Sequence, residues 1–225
     1  MVKNDPRING NLFSDYGVGL LASWAVSGGV PTFSYHKAKG STGFDVYSAD
    51  PALRTITLPV TFRGKDDDAV AALKAAFEAP MYAGKVSLFL PDGYVYDAML
   101  SGIGDDVTIM DGYHSTSYTF MGSRFGQWQT IHGNGTAEFV ALGTRSADCT
   151  ITATAPGETC SVAGIHLSGV KKGDVLTVDG IATRILVNGW PDITKCDVVS
   201  WPKLSPGRNL IEASGDFSVR YRPTY

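Results

Sequence analysis

The residues of this chain best suited to chemistry are its four histidines, its three cysteines and a few short runs of carboxylates. A catalytic site needs a nucleophile, a base and an orienting group, and a metal centre needs ligands at set spacing. His36, His114, His132 and His166 each fall in turn-rich or alternating stretches, with no carboxylate at helical or strand-pairing distance in sequence. His36 and His132 read as solvated loop residues, and His114 and His166 as surface positions on strands. Asp66-Asp67-Asp68 invites a metal reading, but acidic residues just ahead of a helical pattern cap free N–H groups and complement the helix dipole. Asp105-Asp106 and Lys171-Lys172 read as solvated faces. Gly17-Val-Gly19 and Gly133-Asn-Gly135 lack the strand–loop–helix setting of a phosphate cradle and read as turns. The chain is therefore expected to be no enzyme and to hold neither cofactor nor metal.

The remaining reactive or stacking groups are equally plain. Cys149, Cys160 and Cys196 show no CxxC spacing; they read as small buried hydrophobes, with a Cys149–Cys160 bridge across a hairpin as the alternative. Trp128, Trp190 and Trp201 read as core or interface anchors, with sugar stacking as the alternative. A formal charge of −3 argues against a nucleic-acid binder, which needs a basic face to release counterions from phosphate. No apolar run reaches the roughly eighteen residues that span a bilayer. The stretch Val18–Val26, late in the chain and preceded by Asp15, reads as strand rather than as a signal-peptide core.

What must position these residues is mostly strand. Ile56, Leu58, Val60 and Phe62 alternate with Thr55, Thr57, Thr61 and Arg63, a period of two that predicts one buried face, and Pro59 predicts an edge or bulge. Asp66 opens a helix whose apolar positions are Ala69, Val70, Leu73, Ala76 and Phe77, and Pro80 is expected to end it. Two hairpins follow, turning at Pro91-Asp92-Gly93 and Asp111-Gly112. Gln127–Gly135 resembles a linker, and beyond it seven short strands are expected: Ala137–Leu142, Cys149–Ala155, Cys160–Leu167, Val175–Val178, Ile181–Val187, Asn209–Ala213 and Phe217–Tyr221. Turns are expected at Asp179-Gly180, Ser205-Pro206-Gly207 and Ser214-Gly215-Asp216. The 225 residues are thus mainly β in two domains, 1–130 and 131–225.

Several motifs then carry a resemblance. Ile8-Asn-Gly10, Ser14-Asp-Tyr-Gly-Val18, Gly40-Ser-Thr-Gly-Phe-Asp45 and Arg54-Thr-Ile-Thr-Leu-Pro-Val60 occur in the order of the opening of the siphophage distal tail protein family. Gly173–Gly180, Trp201–Asn209 and Phe217–Tyr225 resemble its closing hairpin, its "PG" turn and its final strand. The resemblance implies an N-terminal β-sandwich-like domain with one helix, to which the strand near 217–225 could return, and a C-terminal galectin-like β-sandwich. It implies a structural hub of the tail tip in the virion, made in the host cytoplasm: a homohexameric ring joining the tail tube protein to a tail-tip hub or tail-associated protein, and carrying a receptor-binding protein. The alternative is a carbohydrate- or receptor-binding module. Candidate oligomer-interface residues are Arg54, Ile56, Leu58 and Val60 on one strand, with Leu20, Leu21 and Trp24 on the stretch before it. Asp66, Asp67, Asp68, Asp105 and Asp106 are candidates for an acidic lumen wall that would repel DNA.

Overall fold

The computed structural model describes residues 5–29, 31–37, 39, 42–43, 45–50, 53–192, 194, 196–197 and 200–225. Gly40, Ser41 and Phe44 of the glycine-flanked loop motif lie outside the described residues. The chain is mostly strand and divides into two units, Met1–Arg124 and Phe125–Tyr225.

The first unit runs β1 (Arg7–Ile8), β2 (Asn11–Leu12), a 3-10 turn (Phe13–Tyr16), β3 (Val18–Leu20), β4 (Ala25–Val26), β5 (Thr32–His36), β6 (Asp45–Asp50), β7 (Arg54–Arg63), α1 (Asp67–Tyr82), β8 (Val86–Phe89), β9 (Val95–Ile103), β10 (Val107–Met110) and β11 (Tyr113–Phe125). Its sheet has the order β2-β1-β8-β9-β11-β7-β3, with β10 beside β11 and β4 beside β7; β5 and β6 form a separate hairpin. The alternation read in Arg54–Arg63 is real: Ile56, Leu58, Val60 and Phe62 are at most 1% exposed. Asp66 caps α1, its carboxylate accepting from the Ala69 N–H at 2.8 Å. Pro80 does not end the helix, which continues to Tyr82. A proline one turn from the C-terminus forfeits a single backbone bond and leaves few residues after it to be kinked. Phe77 centres the core, edge-to-face with Phe13, Tyr16, Phe62 and Tyr118 at 5.1–5.8 Å between ring centroids.

The second unit comprises β12 (Gln129–Ala141), β13 (Ala147–Thr154), β14 (Thr159–Val162), β15 (Ile165–Ser168), β16 (Val175–Asp179), β17 (Arg184–Val187), β18 (Trp190–Pro191), β19 (Cys196–Asp197), β20 (Lys203–Leu204) and β21 (Gly207–Tyr221). The order is β18-β17-β16-β13-β21-β14-β15-β19, with β12 beside β21 and β20 beside β13. Each unit is a curled antiparallel sheet, and the whole is β-sandwich-like.

Two expected breaks give way to longer strands, and one expected strand divides into a hairpin. The linker-like Gln127–Gly135 is mostly the start of β12, paired with β21 from Gln129↔Tyr221 onward. Its glycines are there for packing: a Cβ on Gly133 would stand 2.6 Å from Phe217 Cζ, and Gly135, at φ +68°, sits where the register shifts. Ser214-Gly215-Asp216 lies inside β21, so Asn209–Ala213 and Phe217–Tyr221 are one strand. That strand pairs with β12, β13 and β14, all within the second unit. Cys160–Leu167, read as one strand, is a hairpin turning at Ala163-Gly164, both at positive φ.

Candidate functional site

The strand β7, read as an interface candidate, has no open edge. It is paired along its whole length with β11, from Arg63↔Tyr113 to Arg54↔Gly122, and on its other side with β3 and β4. Ile56, Leu58 and Val60 spend their side chains on the core, which removes them as interface residues. Pro59 explains the misreading. In an antiparallel strand a residue's N and O point to the same side, and the Pro59 carbonyl accepts from Leu21 N at 3.0 Å. The missing N–H therefore falls where the partner breaks into β3 and β4, not at an open edge. The stretch Val18–Val26 supplies that break through a turn at Leu21–Trp24. Its two short strands form the true rim of the sheet, where Leu21 is 37% exposed while Leu20 and Trp24 lean on the core.

The larger surface is the face of the sheet opposite the buried side chains. Met99, Ile103, Val107, Ile109 and Met121 are 39–55% exposed there. Between them stand hydroxyls: Ser115, Ser117 and Thr119 alternate along β11 with buried Thr116, Tyr118 and Phe120, and Thr57 and Thr61 do the same on β7. No Lys, Arg, Asp or Glu interrupts these positions from Thr57 to Thr61, Ser115 to Met121 or Met99 to Ile103. A sheet face meant for water ordinarily carries more charge, and five large apolar side chains on one face make an exposed apolar patch. The sequence signal was present but unread: β9 is apolar on both parities, with Tyr96, Ala98 and Leu100 inward and Met99 and Ile103 outward. The β5–β6 hairpin adds Phe33 and Val46, 52% and 48% exposed.

A gathering of titratable groups lies at the junction of α1 with the β10–β11 turn. His114 is not a free surface histidine; its side chain is 13% exposed, with Nε2 3.0 Å from Asp67 Oδ1 and Nδ1 3.6 Å from Asp106 Oδ2. Asp106 also pairs with Lys74 at 3.0 Å. The Gly112 N–H donates to Asp67 Oδ1 at 2.9 Å. That bond, joined by the His114 contact, holds the Asp67 carboxyl below its ordinary value, and the Asp67 contact holds the His114 imidazole above its own. Both ring nitrogens are occupied by carboxylates, so neither faces a reactant, and the arrangement is a lock. Of the expected lumen acids, then, Asp66 caps the helix, Asp67 and Asp106 are in ion pairs, and Asp68 and Asp105 are exposed. The 47 residues between Asp67 and His114 hid the lock from any reading by sequence distance.

In the second unit Cys149 and Cys160 are free thiols rather than a bridge, and burial pushes Cys149 up to about 12. Trp201 packs on the core beside a cleft of about 470 Å³ lined also by Cys149, Leu210 and Ile211. Trp128 lies under the Arg220 guanidinium at 4.3 Å, and Trp190 is 78% exposed at the sheet rim. No metal-ligating cluster occurs among the described residues.

No protein-family model matches the chain, and no characterised protein matches it by sequence. Solved structures do match. The chain is similar to the Dit (gp 19.1) protein of phage SPP1, described as a paradigm of the hub adsorption apparatus in phages infecting Gram-positive bacteria, at 12% identity and a TM-score of 0.77, with 98% of each chain covered. It is also similar to a chain of the phage P2 baseplate in its activated conformation with calcium, at 11% identity, 95% and 93% coverage and a TM-score of 0.53. The same baseplate with strontium gives 11% identity, 98% coverage of both chains and a TM-score of 0.55. At such identities the likeness is one of fold.

Proposed function

We propose that this protein is a structural hub of a long non-contractile phage tail tip, built into the virion as a ring of identical copies. The observation that carries it is the sheet face bearing Met99, Ile103, Val107, Ile109 and Met121, where the one carboxylate of β9 on that face, Asp97, is paired with Lys85, on a chain whose fold is that of phage hub and baseplate proteins. A heterologous contact closes into a ring when its rotation divides the circle, and it needs two different patches on each copy. The sheet face is one. The β5–β6 hairpin is the other, because a two-stranded hairpin outside any larger sheet is marginal in water and gains by packing on a neighbour. The rim at Leu20, Leu21 and Trp24 lies beside the same sheet and extends the contact.

Six copies make the ring, the domain covering residues 1–130 forms its wall, and the second domain is galectin-like. One face meets the tail tube protein, and the other holds a tail-tip hub or tail-associated protein and a receptor-binding protein. A ring of six would carry about −18, a sign that disfavours adhesion of passing DNA; Asp68 and Asp105 remain the acids available to a lumen wall. The protein works by docking, without catalysis.

Electron microscopy of the purified protein is expected to show closed rings. Val107→Glu with Met121→Glu should leave a folded monomer, because the substitutions put charge on a face that gets covered. A monomer in the assembled particle, or rings unaffected by both charges, overturns the reading. The exposure of Trp190 favours a second reading, a saccharide-binding module; it would be supported by quenching of tryptophan fluorescence by glycans that is lost in Trp190→Ala.

A further inference from the structure

We infer that His114, gripped as an imidazolium by Asp67 and Asp106, is a proton-dependent clamp that pins the β10–β11 turn to the start of α1. A neutral imidazole has one N–H and one lone pair, whereas a carboxylate only accepts. Here Nε2 is in hydrogen-bond distance of Asp67 at 3.0 Å and Nδ1 faces Asp106 at ion-pair distance, 3.6 Å, so the doubly protonated ring is the form attracted to both. The surrounding charges come from every element packed on the ring. Asp67 and Lys74 lie on α1, and Asp106 lies on the loop into β10. Asp111, in the turn, acts on Asp67. Arg63 on β7 stands opposite Tyr113, next to His114, and Lys65 is drawn off toward Asp66 at 3.4 Å. Of the two carboxylates that face the ring, Asp106 is shared with Lys74, and His114 supplies the positive charge that Asp67 faces.

What the clamp holds is a close junction. Gly112 donates its N–H to Asp67, accepts from Gly64 N at 2.9 Å, and sits at φ +70° with a would-be Cβ only 2.7 Å from Gly64 O. No side chain fits there, so the turn and the helix start stay in contact only while backbone lies on backbone. The strand entering this turn is β10, whose four residues are all exposed, Val107 and Ile109 among them. Protonation therefore sets how firmly that edge is fixed.

The sign follows from linkage. Folding raises the proton affinity of His114 above its ordinary 6.5, so its stabilisation is complete below 6.5 and is lost as pH rises through the folded value. Asp67 is depressed below 3.8, so its share is present above 3.8 and is lost as pH falls through the folded value. The clamp is tightest between these limits.

Histidine-labelled NMR on the whole chain tests this. His114 should titrate above 6.5. Amide exchange at Gly112 and Gly64, corrected for its intrinsic pH dependence, should rise as His114 loses its proton. The rise should equal the factor by which folding strengthens proton binding at His114. Asp67→Asn should lower the His114 titration and abolish the pH dependence of exchange. His114 titrating at or below 6.5 in the folded wild-type chain, or Gly112 exchange indifferent to its protonation, overturns the clamp.

Discussion

The two units bury comparable cores by different means. The first gathers bulky rings, Phe13, Phe62, Phe77, Tyr96, Tyr118 and Phe120, around one helix, and fixes its turns with charged side chains drawn from elements far apart in sequence. The second has no helix among its described residues; it packs small side chains such as Ala141, Ala147, Ala153 and Ala155 with Ile, Val and Leu, and relies on the long β12–β21 ladder. Its turns are tied locally. The Asp179 carboxylate, for example, accepts from Ile181 N, Ala182 N and Arg184 Nε within 3.2 Å, and only its bond from Thr150 Oγ1 reaches across to a neighbouring strand. A core hung on one ring can fail at one residue. A ladder cannot.

The sharpest break should come at Phe77. Phe77→Ala removes four edge-to-face partners at once and should cost the first unit ~3–5 kcal/mol. Hydrogen exchange read by mass spectrometry should show loss of protection in residues of the first unit alone; equal loss in both would mean that the two units unfold together. A smaller effect, ~1–3 kcal/mol, is expected for Asp179→Ala, which strands several donors near 13% side-chain exposure. Burial pushes the Asp179 carboxyl up, but the bonds from Ala182, Thr150, Arg184 and Ile181 outweigh it and hold the group below 3.8. Its contribution is thus present above 3.8 and lost as pH falls, so the variant's acid unfolding should have a flatter limb than wild type. The least effect belongs to the Arg208–Glu138 pair on the second ladder, where the side chains are 80% and 45% exposed. Glu138→Ala should shift the denaturation midpoint by no more than about 0–1 kcal/mol, and a larger change would mean that the ladder depends on surface charge.

Local patterns were legible in the sequence because they express local physics. The period of two in Arg54–Arg63 and the Asp66 cap need only neighbouring residues to form, and both are found where expected. Glycine was the main source of misreading. Gly133 and Gly215 looked like turn residues, yet both lie within strands, Gly133 because a ring of Phe217 fills the space a side chain would take. The exposed apolar patch was half legible: β9 carries large apolar residues on both parities, Met99 and Ile103 outward beside Asp97 and Ser101, but the residues of β10 and β11 that join them come together only through strand pairing.

By itself the sequence determined that the chain is mainly β, that one helix follows a half-buried strand, and that no catalytic spacing is written along it. Those properties depend on residues within a turn or a strand of one another. Tertiary structure alone decided that β7 is an interior strand, that Ile56, Leu58 and Val60 face the core rather than a neighbour, and that Asp67 and Asp106 meet at His114. Each requires segments dozens of residues apart to be placed side by side, and strand order, unlike strand period, leaves no mark at short range.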